Sequence, residues 1–183
     1  MSMTTEHQPP TEDTSPAEDA DSNEDTPGRV RVGVAELAVA TGDTRLTTSG
    51  LGSCVGVAVA DPPAGIAGLA HVMLPEPTSG TEAKPARSMA RGVERLVDAV
   101  EDAGGHPDRL EAKIAGGSRM LDFSGVSEGV GERNVESARE ALSDHGVAIV
   151  AEDVGGGHGR SLEVVPETWT LTVTSAHEGV EDL

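Results

Sequence analysis

Two apolar runs separated by a short turn sequence constrain the fold of this chain more than any other feature. The first run, from Cys54 to Ala60, alternates valine with small residues, and the second extends from Ile66 to Leu74 before Pro75 stops it. The segment between them, residues 61–65, reads Asp-Pro-Pro-Ala-Gly, which is typical of a tight turn. The pattern therefore predicts an antiparallel β-hairpin.

The hairpin predicts which residues face each other. If the strands pair directly at the turn, Gly56 lies opposite His71 and Cys54 lies opposite Met73. Cys54 and His71 are then diagonal neighbours on one face of the hairpin, with Cβ atoms roughly 7 Å apart. A bulge of one residue would reverse this parity. Without a bulge, the spacing predicts that the two side chains can meet.

Cys54 is the single cysteine of the chain, so no internal disulfide can form. A thiol among small residues, with a histidine on the next strand, is the minimum set for a thiolate nucleophile and its base. The alternative stays open, because an isolated cysteine commonly packs as a small buried apolar side chain. His71 would then be a hydrogen-bonded core histidine. His106, His145 and His177 lack ligand spacing, so no metal site is expected.

The charge is strongly acidic, with 32 acidic and 13 basic residues and a net charge of −19. Such a chain repels nucleic acid and anionic lipid, so neither is an expected partner. Lys84 and Lys113 are the only lysines, and an acidic, lysine-poor surface favours solubility at high salt. The composition thus indicates a halophile, with ordinary acidic solubility as the alternative. We find no apolar run long enough for membrane insertion and no signal-peptide pattern, so we expect a cytoplasmic protein.

The chain divides into a tail and one domain. Residues 1–28 contain eight acidic residues and neither lysine nor arginine, and we expect this tail to be disordered. Residues 29–183 are long enough for one folded domain. Because Phe123 and Trp169 are the only aromatic residues, the core must consist of Val, Leu, Ala, Ile and Met.

The apolar spacing predicts helices at 87–103 and 132–143. Strands are predicted at 30–34, 44–48, 54–60, 66–74, 110–115 and 147–152, with a closing hairpin at 162–165 and 169–174. Loops are predicted at 76–84 and 153–160. Because strands outnumber helices and are not interleaved with them one by one, the order favours the α+β class over a doubly wound sheet.

Several short motifs occur in order between about residues 32 and 173. They are Leu51-Gly52-Ser53-Cys54-Val55, Asp61-Pro62, Gly68-Leu69-Ala70-His71-Val72-Met73-Leu74-Pro75, Gly116-Gly117-Ser118-Arg119-Met120, Gly131-Glu132-Arg133-Asn134-Val135, and Glu152-Asp153 with Gly155-Gly156 and Gly159-Arg160. As an ordered set they closely resemble the CheD family of chemoreceptor glutamine deamidases. The chain departs from the family pattern in lacking a tyrosine at 84–87 and in the additional His158.

The resemblance implies a catalytic set of Cys54, His71 and Thr48. With this set, we expect His71 to take the Cys54 proton, giving a thiolate at neutral pH, and Thr48 to accept a hydrogen bond from the other ring nitrogen. Backbone N–H groups at Ser53 and Cys54 are the expected oxyanion donors, because Gly52 lets the chain turn closely there. No metal and no organic cofactor is needed.

The resemblance also implies a fold and partners. The fold is a three-layer α/β/β sandwich, similar to the catalytic domain of cytotoxic necrotizing factor toxins. The partners are methyl-accepting chemotaxis receptors, as substrate, and a CheC-type phosphatase of the response regulator CheY. The expected activity is that of a protein-glutamine glutaminase, an amidohydrolase with a cysteine nucleophile. The alternatives are a non-catalytic chemotaxis adaptor that binds receptors and the phosphatase, or another cysteine hydrolase such as a peptidase.

Overall fold

The computed structural model describes residues 28–75, 84–119 and 129–183. Over these ranges the chain forms ten β-strands and two α-helices. In chain order they are β1 (Arg29–Arg31), β2 (Leu37–Thr41), β3 (Arg45–Leu51), β4 (Val55–Asp61), β5 (Ile66–Val72), α1 (Met89–Asp102), β6 (Glu111–Gly116), α2 (Val130–Asp144), β7 (Ala148–Val154), β8 (Arg160–Val165), β9 (Thr170–Ser175) and β10 (Gly179–Asp182). Neither α-helix in the described part of the chain is long and apolar enough to cross a membrane.

The predicted hairpin is confirmed by β4 and β5, which pair antiparallel with Gly56 opposite His71. The prolines form a single 3-10 turn between the strands, and Gly65 closes it with a φ of +63°. Every residue of both strands is buried. The ladder ends at the pair Val55 and Val72, so Cys54 lies one residue beyond it.

The strands form two five-stranded sheets. The central sheet has the order β2-β5-β4-β6-β7 and the outer sheet the order β1-β3-β8-β9-β10, and each contains both parallel and antiparallel pairs. One face of the central sheet packs against α1 and α2, and its other face packs against the outer sheet. This α/β/β layering confirms the α+β class. The similarity to cytotoxic necrotizing factor toxins stays a prediction.

Aliphatic residues form both cores, as the composition requires. Leu96 and Met89 on α1 meet Val57 and Ile114 on the helix side of the central sheet. Leucines and alanines dominate the core between the two sheets. Gly56 allows this close packing, because a Cβ atom at that position would overlap the side chain of Leu162. The site described below lies in this second core.

The structure corrects the predicted strands in three places. It contains β2 and β10, which the sequence pattern does not predict. β10 is exposed at all four positions, so it has no burial pattern in the sequence to reveal it. The first strand ends at Arg31 rather than extending to Val34, whose side chain is exposed.

Both predicted helices are confirmed with shifted ends, and β7 extends two residues into the predicted loop at 153–160. Other predictions lie outside the described residues. These are the tail up to residue 27, the loop at 76–83, Met120 of the fourth motif and Phe123.

Candidate active site

Thr48 and His71 meet between the two sheets. Thr48 lies on β3 opposite Leu162, a residue of the core between the sheets, so its side chain points toward the central sheet. The Thr48 Oγ1 atom lies 2.8 Å from His71 Nδ1. Both side chains are buried, at 3% and 1% exposure. The contact therefore joins a hydroxyl from the outer sheet to an imidazole from the central sheet in a dry environment.

This contact affects which nitrogen of His71 can accept a proton. A threonine hydroxyl can donate to or accept from a ring nitrogen, and the tautomer with Nδ1–H leaves the lone pair on Nε2. His71 Nε2 is buried and makes no hydrogen bond within the described residues. Buried polar atoms are normally paired, so an unpaired ring nitrogen is a candidate for chemistry. The arrangement leaves Nε2 free to act as a base.

Cys54 is half-buried in the turn that precedes β4. Its side chain packs against the core between the sheets, which is also the side of the central sheet that His71 faces. The predicted same-face arrangement of the two side chains is therefore present. His71 Nε2 has no hydrogen-bond partner within the described residues, so it is not bonded to the Cys54 thiol in this structure.

A glycine loop after β6 holds the cysteine turn in place. The Gly117 N–H donates to the Cys54 carbonyl at 2.8 Å, and the Ser118 N–H donates to the Gly52 carbonyl at 2.9 Å. Gly116 has a φ of +115°, and a Cβ atom there would overlap the Cys54 carbonyl oxygen. Only glycine fits this close approach. Gly116, Gly117 and Ser118 of the fourth motif thus support the turn that contains Cys54.

Burial shifts the pKa of both groups. It raises the pKa of the Cys54 thiol above its ordinary value, although the residue's own backbone N–H, close to the sulfur, acts in the opposite direction. Burial lowers the pKa of His71. Both shifts favour the uncharged forms, since a low-dielectric site disfavours charge. These shifts oppose the predicted thiolate at neutral pH and indicate a resting pair of thiol and neutral imidazole.

The turn that contains Gly52 and Ser53 includes two N–H groups with no backbone partner among the described residues. Gly50 has a φ of +76°, and the Gly52 N–H donates to the Gly50 carbonyl at 3.1 Å. The N–H groups of Ser53 and Cys54 make no hydrogen bond to another residue's backbone in the part of the chain that the structure describes. Their role as oxyanion donors stays a prediction.

Asn134 also contacts the site; the sequence analysis includes it in a motif of the family resemblance but gives it no role there. It is fully buried on α2, and its Nδ2 donates to the Ser53 carbonyl at 2.7 Å and to the Met73 carbonyl at 3.1 Å. The feature of the sequence that could have identified Asn134 is a polar residue on the helix face of Val135 and Ala138, both of which are buried.

An ion pair between β7 and β8 fixes the glycine-rich loop at 155–159 that connects these strands. Arg160 binds Asp153 through two hydrogen bonds, of 2.8 and 2.7 Å. The Arg119 N–H donates to the Gly156 carbonyl at 2.8 Å, which connects this loop to the loop after β6. The additional His158 is partly buried in the same loop. No cluster of side chains able to hold a metal ion occurs among the described residues.

Comparison with known proteins identifies the family. Residues 73–175 match the family model described as CheD, chemotactic sensory transduction. A probable chemoreceptor glutamine deamidase CheD from Haloarcula marismortui is 47% identical over 152 residues, covering 83% of this chain and 88% of that protein. A chemoreceptor glutamine deamidase CheD from Halalkalibacterium halodurans is 38% identical over 158 residues, covering 84% and 98%. The chain is thus one of the proteins of chemotactic sensory transduction, and it belongs to the CheD family.

Solved structures show a more distant similarity. A Bacillus licheniformis hypothetical protein, YfiH, aligns with a TM-score of 0.41 and 16% identity, over 64% of this chain and 51% of that one. A Neisseria meningitidis protein of the DUF152 family aligns with a TM-score of 0.42 and 14% identity, over 71% and 64%. This similarity carries no conclusion about function.

Proposed function

We propose that this protein hydrolyses glutamine side chains on chemotaxis receptors to glutamate, with Cys54 as the nucleophile. The observation that carries the proposal is the 2.8 Å contact between Thr48 and His71, which leaves His71 Nε2 without a partner among the described residues, on the face that Cys54 shares. The names of the CheD relatives, chemoreceptor glutamine deamidases, give the reaction and the substrate class.

In the first half-reaction, Cys54 Sγ attacks the carboxamide carbon of the substrate while His71 Nε2 takes the thiol proton. Transfer during attack suits a pair whose resting forms are both neutral. The C=O double bond opens to an oxyanion, which the free N–H groups of Ser53 and Cys54 stabilise. The imidazolium then gives its proton to the leaving nitrogen, the C–N bond breaks, and ammonia leaves behind a thioester.

In the second half-reaction, water takes the place of ammonia. Neutral His71 removes a proton from the water as its oxygen attacks the thioester carbon. The oxyanion forms again, the C–S bond breaks, and the proton returns to Cys54. The balance is one amide and one water converted to one carboxylic acid and one ammonia, with no change of oxidation state.

Thr48 acts on this cycle through His71. Its hydroxyl accepts from Nδ1–H and holds the ring with the lone pair on Nε2. An uncharged hydroxyl stabilises imidazolium less than a carboxylate does, so its role is mainly orientation. We assign Gly52 the role of shaping the turn that presents the donors.

The proposed product changes the receptor. Each cycle adds one negative charge, and such a change shifts the balance between two signalling states of a receptor. We further propose a CheC-type phosphatase as binding partner, as the resemblance to the CheD family implies, and the cytoplasm as the place of action.

Mass spectrometry of a receptor fragment incubated with the protein tests this function. We expect the mass change of amide-to-acid conversion at specific glutamines, with matching ammonia release. Cys54→Ala should abolish both, because Cys54 is the only thiol of the chain and no other cysteine can replace it. Receptor binding without conversion would favour the adaptor, and peptide-bond cleavage would favour a peptidase.

A further inference from the structure

Asn134 is a buried polar residue whose side-chain amide bonds to the two segments that frame the site. It lies on α2 and is 0% exposed. Its Nδ2 donates to two backbone carbonyls, of Ser53 and of Met73. Because both partners are acceptors, only the NH2 side of the amide can face them, which fixes the orientation of the carboxamide.

The two carbonyls lie just beyond the end of the β4–β5 ladder. The last paired residues are Val55 and Val72. Ser53 precedes β4 and Met73 follows β5, and the Asn134 amide bridges their carbonyls at 2.7 and 3.1 Å. A helix side chain thus continues the connection between the strands where direct pairing stops.

The bond to Ser53 also determines the direction of the Cys54 N–H. The Ser53 carbonyl and the Cys54 N–H belong to one planar peptide unit, and in a trans peptide they point in opposite directions. Since Asn134 holds the oxygen on the helix side, the N–H points away from the helix. There it makes no hydrogen bond to the backbone of another described residue.

We propose that Asn134 is a positioning residue that orients the Ser53–Cys54 peptide so that its N–H stabilises the oxyanion. This inference rests on the proposed function, because the oxyanion forms only if Cys54 attacks an acyl carbon. A hydrogen bond to the carbonyl also polarises the peptide and strengthens the opposite N–H as a donor.

The test compares two reactions of Cys54. Acyl transfer from a receptor glutamine, or from p-nitrophenyl acetate as a generic acyl donor, passes through an oxyanion. Alkylation by iodoacetamide is a displacement and forms none. In Asn134→Ala we expect kcat for both acyl donors to fall about 10- to 100-fold, somewhat less than the loss of a direct oxyanion donor. KM and the alkylation rate should stay near those of the wild type.

Leu142→Ala is the matched control, because Leu142 is a buried core residue of the same helix. It should lower stability and leave kcat unchanged. If Asn134→Ala does not fold, Asn134→Ser, which keeps one donor, takes its place with an intermediate loss of kcat expected.

The outcomes separate the two proposals. Unchanged kcat in folded Asn134→Ala overturns the positioning role, and so does an equal fall in acyl transfer and alkylation. A wild type that hydrolyses the ester but no receptor glutamine overturns the proposed function alone, and the ester then still tests Asn134.

Discussion

Replacing Thr48 with valine removes one hydroxyl from the site and keeps the branched shape of the side chain. In the structure that hydroxyl is the partner of His71 Nδ1 at 2.8 Å, and both residues are buried. In the variant, Nδ1 has no partner at this position. Leaving a buried polar atom unpaired costs about 1–3 kcal/mol, so we expect a loss of stability of that order.

The same loss should appear in catalysis. Without an acceptor at Nδ1, the proton can move to Nε2, and the imidazole then presents no lone pair to Cys54. A tautomer preference weakened by about 1–3 kcal/mol corresponds to a fall in kcat of about 5- to 150-fold, at about 1.4 kcal/mol per factor of ten. Thr48→Ser retains the hydroxyl and should keep most of the activity.

The assay is ammonia release from a receptor fragment at saturating substrate, with thermal unfolding of each variant and nitrogen NMR of His71 to identify the tautomer. Wild-type kcat in Thr48→Val, with the proton still on Nδ1, would refute the orienting role. A loss of kcat shared equally by Thr48→Ser would show that packing, rather than the hydrogen bond, matters here.

The remaining predictions concern pH, backbone space and a buried carboxylate. The acid limb of kcat/KM should lie below pH 6.5, the ordinary pKa of histidine, because burial lowers the pKa of His71. The contribution of His71 to stability should also fall as pH drops below 6.5, because the unfolded chain then binds a proton more readily than the folded protein does. An acid limb above pH 6.5 would contradict the lowered pKa. Gly116→Ala should lower kcat and melting temperature together, because the new Cβ displaces the Cys54 carbonyl, whereas Gly157→Ala, with open space around it, should change neither. Hydrogen bonds from Arg109 are the main reason that the pKa of Asp61 is lowered to about 2. Asp61 should therefore stabilise the fold above pH 4 and lose that effect as pH falls toward 2. In Asp61→Asn, urea unfolding should show lower stability at neutral pH and less change across that acid range.

The hairpin shows how far local sequence can determine structure. The turn at 61–65 and the two apolar runs are enough to predict the register that places Gly56 opposite His71. The helices are equally predictable, since their apolar spacing matches one buried face. β10 is not, because its four residues are exposed and pair only with β9.

The sequence alone therefore determined the α+β class, the hairpin and the common face of Cys54 and His71, since each depends on contacts between residues close in the chain. The resemblance to the CheD family named Thr48 as the partner of His71, but only the tertiary structure shows that the threonine reaches it across the two sheets, and that Asn134 reaches the Ser53 carbonyl from a helix 81 positions away. It also determines the burial that raises the pKa of Cys54 and lowers the pKa of His71, and both shifts favour the uncharged forms. Contacts between layers and the dielectric around them leave no periodic signal in the sequence, because they arise only when the sheets and helices pack.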